Sequence, residues 1–225
     1  MAIGAILVVS LLVTAFGGDR AHAPQAVAVT RLLPAVSRPS PEIIAARGAL
    51  RLQLPIARPT AIGFHAAGDG AVSLTPAGHQ GNEGGLARLF HRLFGGGGGH
   101  QTWYQLGGEG AENSAVDVGA APGTDVYAPV DGTVVGITPF VVDGERYGVR
   151  LDIQPQAAPS YVVSVTQLNA DPAISVGSTV VAGVSKIGSV VDLSDVERQA
   201  LARFTQDPGN HVALEVRPAA TLTLN

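Results

Sequence analysis

With no cysteine in its 225 residues, the chain has no thiol nucleophile, no disulfide framework and no cysteine-based zinc finger. Any metal site must therefore use His, Asp or Glu. The six histidines are His22, His65, His79, His91, His100 and His211. His211 opens the run His211-Val212-Ala213-Leu214-Glu215-Val216-Arg217, which alternates as a half-buried strand does. Val212, Leu214 and Val216 face a core, while His211, Glu215 and Arg217 share the other face. There Glu215 and Arg217 can pair with each other or with the imidazole. Lys186 is the only lysine. With 14 basic against 18 acidic side chains, the formal charge is −4, so no broad cationic field attracts nucleic acid.

The elements that must position these groups fall into four stretches. Residues 3–16 form an uncharged apolar run followed by Gly17, Gly18, Asp19 and Arg20, and Ala21-His22-Ala23 has the small-x-small spacing of a cleavage site. Residues 1–23 therefore read as a signal peptide or membrane anchor, and the protein as secreted or held in the cell envelope, touching a membrane only through this segment. Residues 24–60, with Pro34, Pro39, Pro41, Pro55 and Pro59, show no sustained period and read as a linker or loosely wrapped arm. Residues 61–100 read as an N-terminal unit packing on the main domain. Within it, 61–74 is a β-hairpin turning at Gly68-Asp69-Gly70, the last strand residues before it, 51–54, belonging to the arm. Leu86, Leu89, Phe90, Leu93 and Phe94 then mark a short amphipathic helix that Gly95 to Gly99 end.

From residue 101 to 225 the pattern is that of a β domain. Strand candidates at 125–127, 132–137, 149–153, 161–166, 179–182 and 211–217 are separated by Gly, Pro and Asp turns, which predicts an antiparallel sandwich or barrel-like sheet with one or two short helices. The chain is 46% apolar, enough to fill its core. One helix is predicted at 194–204. Ser194 and Glu197 have capping-box spacing, Val196, Ala200 and Phe204 form its stripe, and Asp207-Pro208-Gly209 stops it.

Three blocks in this region, running 117–135, 176–188 and 211–217, carry a family likeness. The first begins Asp117-Val118-Gly119-Ala120-Ala121-Pro122-Gly123-Thr124-Asp125; the second holds Val176-Gly177-Ser178-Thr179-Val180 and Lys186-Ile187-Gly188; the third starts at His211. In this order they resemble the lysostaphin-type (LytM-like) peptidoglycan metalloendopeptidases. The resemblance implies that family's antiparallel duplicated hybrid motif fold. It also implies a single zinc that acidifies a bound water for attack on wall peptide cross-links.

In the family, a His-x-x-x-Asp motif and the second His of a His-x-His motif bind the metal. The first His of that pair and a His before a Leu on a neighbouring strand assist. Mapped onto this chain, Asp117 and His211 match, but the first ligand position is Asn113, the third is Ala213 and the assisting His-Leu reads Gln167-Leu168. One carboxylate and a weak amide oxygen cannot hold zinc against water. No catalytic residue is therefore expected, with His211 and Gln167 as remnants, and no metal ligand, with Asn113, Asp117 and Ala213 as remnants; no cofactor is expected. Asn113, Asp117, Gln167, His211 and Glu215 would line a ligand groove. Asp117 and His211 can serve there as a polar floor for a peptide, or as relics that satisfy neighbouring groups. The family joins its last two blocks by a short Gly-rich loop, so the helix at 194–204 is either a lid or partner-binding element, or simply packs on the sheet.

The expected function is a non-catalytic, exported peptidase-fold domain, a binding or regulatory module whose partner is peptidoglycan or a cell-wall hydrolase. A second reading is an active zinc endopeptidase that cleaves wall cross-links with other ligands, for which His100 and His211 are the candidates; beside its glycine run His100 reads as solvent-exposed. A third is a biotinyl, lipoyl or phosphotransferase-like carrier, suggested by Ala128-Pro129-Val130-Asp131-Gly132-Thr133-Val134 and requiring Lys186 at a hairpin tip.

Overall fold

A computed structural model describes residues 37–82, 101–107, 112–196 and 199–219. The expected leader, the helix around 86–94, its glycine stop and the histidines His22, His91 and His100 lie outside the described residues. So do Glu197 and the C-terminal residues 220–225.

The chain is mainly β, as its alternating apolar residues predict. Its strands are β1 (Ile43–Arg47), β2 (Leu50–Gln53), β3 (Ile62–His65), β4 (Thr75–Pro76), β5 (His79–Gln80), β6 (Thr102–Gln105) and β7 (Ala115–Gly119). After them come β8 (Asp125–Tyr127), β9 (Gly132–Val142), β10 (Glu145–Pro155), β11 (Tyr161–Ala170), β12 (Thr179–Val180), β13 (Lys186–Val190) and β14 (His211–Pro218). The large sheet runs β12-β9-β10-β11-β14-β7-β3-β6-β5, with β13 joined to β11 and β8. Its pairs are antiparallel except β3–β6 and β5–β6, which are parallel, so the sheet is mixed where a purely antiparallel one was expected. Val116, Val118, Leu151, Ile153, Val163, Val165, Val212, Leu214 and Val216 are buried in one core.

Strands 132–137 and 149–153 prove longer than their apolar cores suggest. Asp143 and Gly144, both at positive φ, make a two-residue turn that lets Val142 pair with Glu145 and the two strands extend together. The predicted strand at 179–182 is shorter. Ser185 Oγ takes the Val181 N–H and Asp131 Oδ1 takes that of Ala182, bending the chain away after Val180.

Residues 43–56 are no linker. Here β1 and β2 form a hairpin around Gly48, at φ 56°, and β1 also pairs with β4. Ile44, Leu50, Leu52, Leu54 and Ile56 are at most 1% exposed. Backbone bonds from Gln53 to the Pro129 carbonyl and from Tyr127 to that of Pro55 fasten the segment to the β domain. The short strand read at 51–54 forms as β2, and the linker reading of the residues around it fails because the flanking prolines stand outside its paired residues.

The hairpin expected over 61–74 is likewise not formed. A turn exists at Gly68-Asp69-Gly70, but the chain does not return along β3, which pairs with β7 and β6 instead. Val72 bonds to the Val216 carbonyl and Leu74 to that of Asn113.

Among the described residues of the span 194–204, where a capped helix was expected, the only helical element is a 3-10 turn, Ala200–Arg203. At the start of the span Asp192 Oδ1 accepts both the Ser194 hydroxyl at 2.7 Å and the Ser194 N–H at 3.1 Å, so the serine closes a local turn on the preceding aspartate. Leu201, and not the predicted stripe, is fully buried, while Phe204 stacks on Tyr104 with ring centroids 4.4 Å apart. Among the described residues no helix is long and apolar enough to cross a membrane.

Candidate functional site

The face of the sheet opposite the core is polar, and strand register decides which residues meet there. Asp117, in the middle of β7, lies between Ala213 on β14 and Gly63 on β3. His211 pairs with Gly119 two residues along, and His65 with Ala115 two residues the other way. Since paired residues and alternate positions share a face, Asp117, His211 and His65 converge.

Asp117 and His211 are only 4% and 5% exposed. The carboxylate meets an imidazole on each oxygen: His65 Nε2 lies 3.2 Å from Oδ1 and His211 Nε2 lies 3.5 Å from Oδ2. His65 Nδ1 is 2.9 Å from the Ala66 carbonyl. Both ring nitrogens of His65 thus lie against oxygen acceptors, an arrangement that favours the protonated ring. The hydrogen bond to Asp117 raises His65 from its ordinary value near 6.5 to about 9; burial opposes this, and the Asp117 charge, the Ala66 carbonyl and Glu215 add to it.

His211 makes two further contacts. Its Nδ1 lies 2.9 Å from the Gly209 carbonyl and so donates there. Nε2 lies 3.2 Å from Gln167 Nε2, so the amide and the Asp117 carboxylate meet at the same ring nitrogen. Gln167 reaches this position because β11 bulges, Val149 and Leu151 of β10 facing Leu168 and Val165, and because its own φ is +59°. A non-glycine residue held in that left-handed region marks strain at this point of the sheet.

Of the expected groove residues, Asp117, Gln167 and His211 lie together around the His211 ring. Asn113 lies just before β7; its carbonyl accepts from Leu74 and its Oδ1 is buried without a hydrogen-bond partner. Glu215 shares the polar face but is taken by Arg217, whose Nε and Nη2 both reach Oε2, at 3.1 and 2.8 Å. Beyond it Arg150, Asp152 and Ser164 form a second network, with Ser164 Oγ 2.6 Å from Asp152 Oδ1. His65 is the residue that the sequence reading missed. Its signal was present but weak: Ile62-Gly63-Phe64-His65 alternates, and placing it beside Asp117 needs the β3–β7 pairing, a contact across 52 residues of chain.

Two leucines wall the cluster. A side chain at Gly63 would meet Leu106, and one at Gly119 would meet Leu201 Cδ2 at 2.7 Å, so each glycine is a seat for a leucine beside the buried carboxylate. Elsewhere, His79 is exposed on β5, and Lys186 opens β13 paired with Asp125 at 2.6 Å, not at a hairpin tip.

The ligand positions of the expected zinc site are not all filled by ligating groups: the third is the Ala213 methyl, opposite Asp117, and the first is an amide, Asn113. Among the described residues no three His, Asp or Glu side chains are grouped to share a metal. What the cluster can do is hold charge and donate or accept hydrogen bonds at a partly covered polar face.

The ion pair has a pH signature. A raised imidazole pKa stabilises the fold fully below about 6.5, and the contribution is lost as pH rises through about 9. The displacement alone corresponds to at most ~3 kcal/mol. With 34% of the His65 side chain in water we expect ~1–2 kcal/mol to disappear over that range. Urea midpoints measured from about pH 6 to about pH 10 should fall accordingly; Asp117→Asn should flatten the profile.

The site and sheet define a mainly β domain with a polar, histidine-bearing face. No protein-family model and no curated protein matches the chain. Among solved structures it is similar to the NMR solution structure of lysostaphin, at 18% identity and a TM-score of 0.37, over 53% of this chain and 41% of that one. The match therefore spans less than half of that protein's length, and at this score it carries no argument about activity.

Proposed function

We propose that the chain is an exported, non-catalytic domain of lysostaphin-type peptidase fold with a degenerate zinc site, acting as a binding or regulatory module for peptidoglycan or a cell-wall hydrolase. The apolar run at 3–16 supports export. The three ordered sequence blocks support the fold assignment. The observation that carries the reading is the register of β7 and β14, which sets Ala213 opposite Asp117 where the family has a metal-binding histidine. Without an ion there is no acidified water and no Lewis acid to polarise a peptide carbonyl. The side chains left to a ligand are polar and partly exposed: His65, Arg150, Glu215 and Arg217.

Metal content of the purified full-length protein and its turnover of cross-linked wall peptides test this directly. The expected result is substoichiometric zinc, no hydrolysis, and retention of the protein on insoluble peptidoglycan or on an active hydrolase. Stoichiometric zinc together with lytic turnover would overturn it.

A further inference from the structure

The polar face extends well beyond Asp117. Five strand spacings away, at the β12 end of the sheet, register sets Thr179 opposite Thr133 and Thr133 opposite Gln154, so three hydroxyl and amide side chains form a row across β12, β9 and β10. Their neighbours Val180, Val134 and Ile153 turn the other way and are buried in the core. The row floors a cleft of about 520 Å³, large enough for a small ligand, whose lining also includes Asp131, Pro159 and Val181. Gln154 Nε2 is held on the Pro159 carbonyl at 2.9 Å, and Asp131 Oδ1 accepts the Ala182 N–H at 2.8 Å. Asp131 is exposed, and among the described residues that line the cleft it alone is charged.

The two ends of the sheet are finished differently. At the β6 end the Asn82 side chain takes both backbone groups of Gln105: its Oδ1 accepts the N–H at 2.9 Å and its Nδ2 donates to the carbonyl at 2.8 Å, which closes that edge beyond β5. At the other end the Val134 N–H bonds to the Ser178 carbonyl, so the next residue, Thr179, turns its own N–H and C=O away from β9. Among the described residues no strand lies beyond β12 to take them. On the same stretch of chain Val176, Val181 and Val184 are 62%, 48% and 48% exposed.

We propose that β12 is a docking edge for an extended peptide segment that carries a lysine or arginine. The segment adds to the sheet as a further strand and exchanges backbone hydrogen bonds with Thr179. A side chain opposite Thr179 falls on the face of the Thr179–Thr133–Gln154 row, where Asp131 supplies the complementary charge. The exposed valines favour apolar residues on either side of that cation. This edge is separate from Asn113, Asp117 and Ala213, and the proposal stands independently of how those positions are read.

An NMR titration of the isotopically labelled full chain at low salt tests this, with acetyl-Thr-Val-Lys-Val-Thr-amide and the same peptide bearing glutamate in place of lysine as probes. The lysine peptide should shift the backbone amides of Thr179 to Val181. It should bind about 3–10-fold more tightly than the glutamate peptide, the scale of one exposed ion pair formed in one case and opposed in the other. Asp131→Asn, which keeps the acceptor for the Ala182 N–H, should erase that preference; a preference retained would refute the role of the charge and with it the proposal. Thr179→Pro removes the outward N–H and spares the bonds to β9, so it should abolish binding of both peptides with the thermal midpoint unmoved. Binding that survived in this variant would refute strand addition. If Thr179→Pro does not fold, Asp131→Asn decides alone. Equal affinities of the unaltered chain for the two peptides, shifts centred on another edge, or no shifts at all would each overturn the proposal. So would concentration-dependent shifts at Thr179 without peptide, which would assign the edge to a second copy of the chain.

Discussion

Leu201→Ala is expected to lower the unfolding free energy by about 2–5 kcal/mol, the range for deleting a fully buried leucine side chain. The same change should raise the reactivity of His211 toward diethyl pyrocarbonate. Leu201 belongs to a turn of only four residues, so its own helix contributes little, and its burial comes from the seat over Gly119 beside His211. Each ~1.4 kcal/mol lost from that seat raises the population with the turn lifted ~10-fold. Phe204→Ala should act in the same direction more weakly, because the stacked pair with Tyr104 is only half-buried. Unfolding titrations and mass-spectrometric mapping of the labelled histidine give the two readouts. A loss of stability with His211 still protected would show that Leu201 supports the core alone and does not cover the site.

Deleting residues 1–60 should abolish folding. Ile44, Leu50, Leu52, Leu54 and Ile56 are almost wholly buried. At ~1.5–3 kcal/mol each, their burial is worth ~7–15 kcal/mol, as much as the whole net stability of a typical domain. The deletion would also leave the Pro129 carbonyl and the Tyr127 N–H without their partners at Gln53 and Pro55. A shorter deletion, of residues 1–36, leaves the β1–β2 hairpin intact and should keep a cooperative thermal transition. If the chain beginning at Ala61 melted cooperatively with near-native ellipticity, the hairpin would be an appendage after all.

These expectations depend on features that were legible to different degrees. Val212, Leu214 and Val216 could be placed in the core and Glu215 beside Arg217 from alternation alone, because the period of a strand is a local property. The loss at Ala213 was equally legible, since a methyl group offers no donor in any fold. Asn113 lies just before β7, which begins at Ala115, and its Oδ1 is buried without a hydrogen-bond partner, an environment that its four-residue spacing from Asp117 does not reveal. At 194–204 the capping spacing of Ser194 and Glu197 suggested a helix, whereas Ser194 closes a local turn on Asp192 and the helical part that forms is the 3-10 turn Ala200–Arg203.

By itself, then, the sequence determined the strand-rich class, the two-sided character of β14 and the absence of thiol chemistry. Each of these follows from residue type and short-range period, which act between neighbours along the chain. Only the tertiary structure decided that His65 would meet Asp117, that Leu50 and Leu52 would enter the core and that Leu201 would sit over Gly119. Those contacts depend on which strands lie side by side and in what register, and register is set by the burial of whole faces rather than by the identity of any one residue.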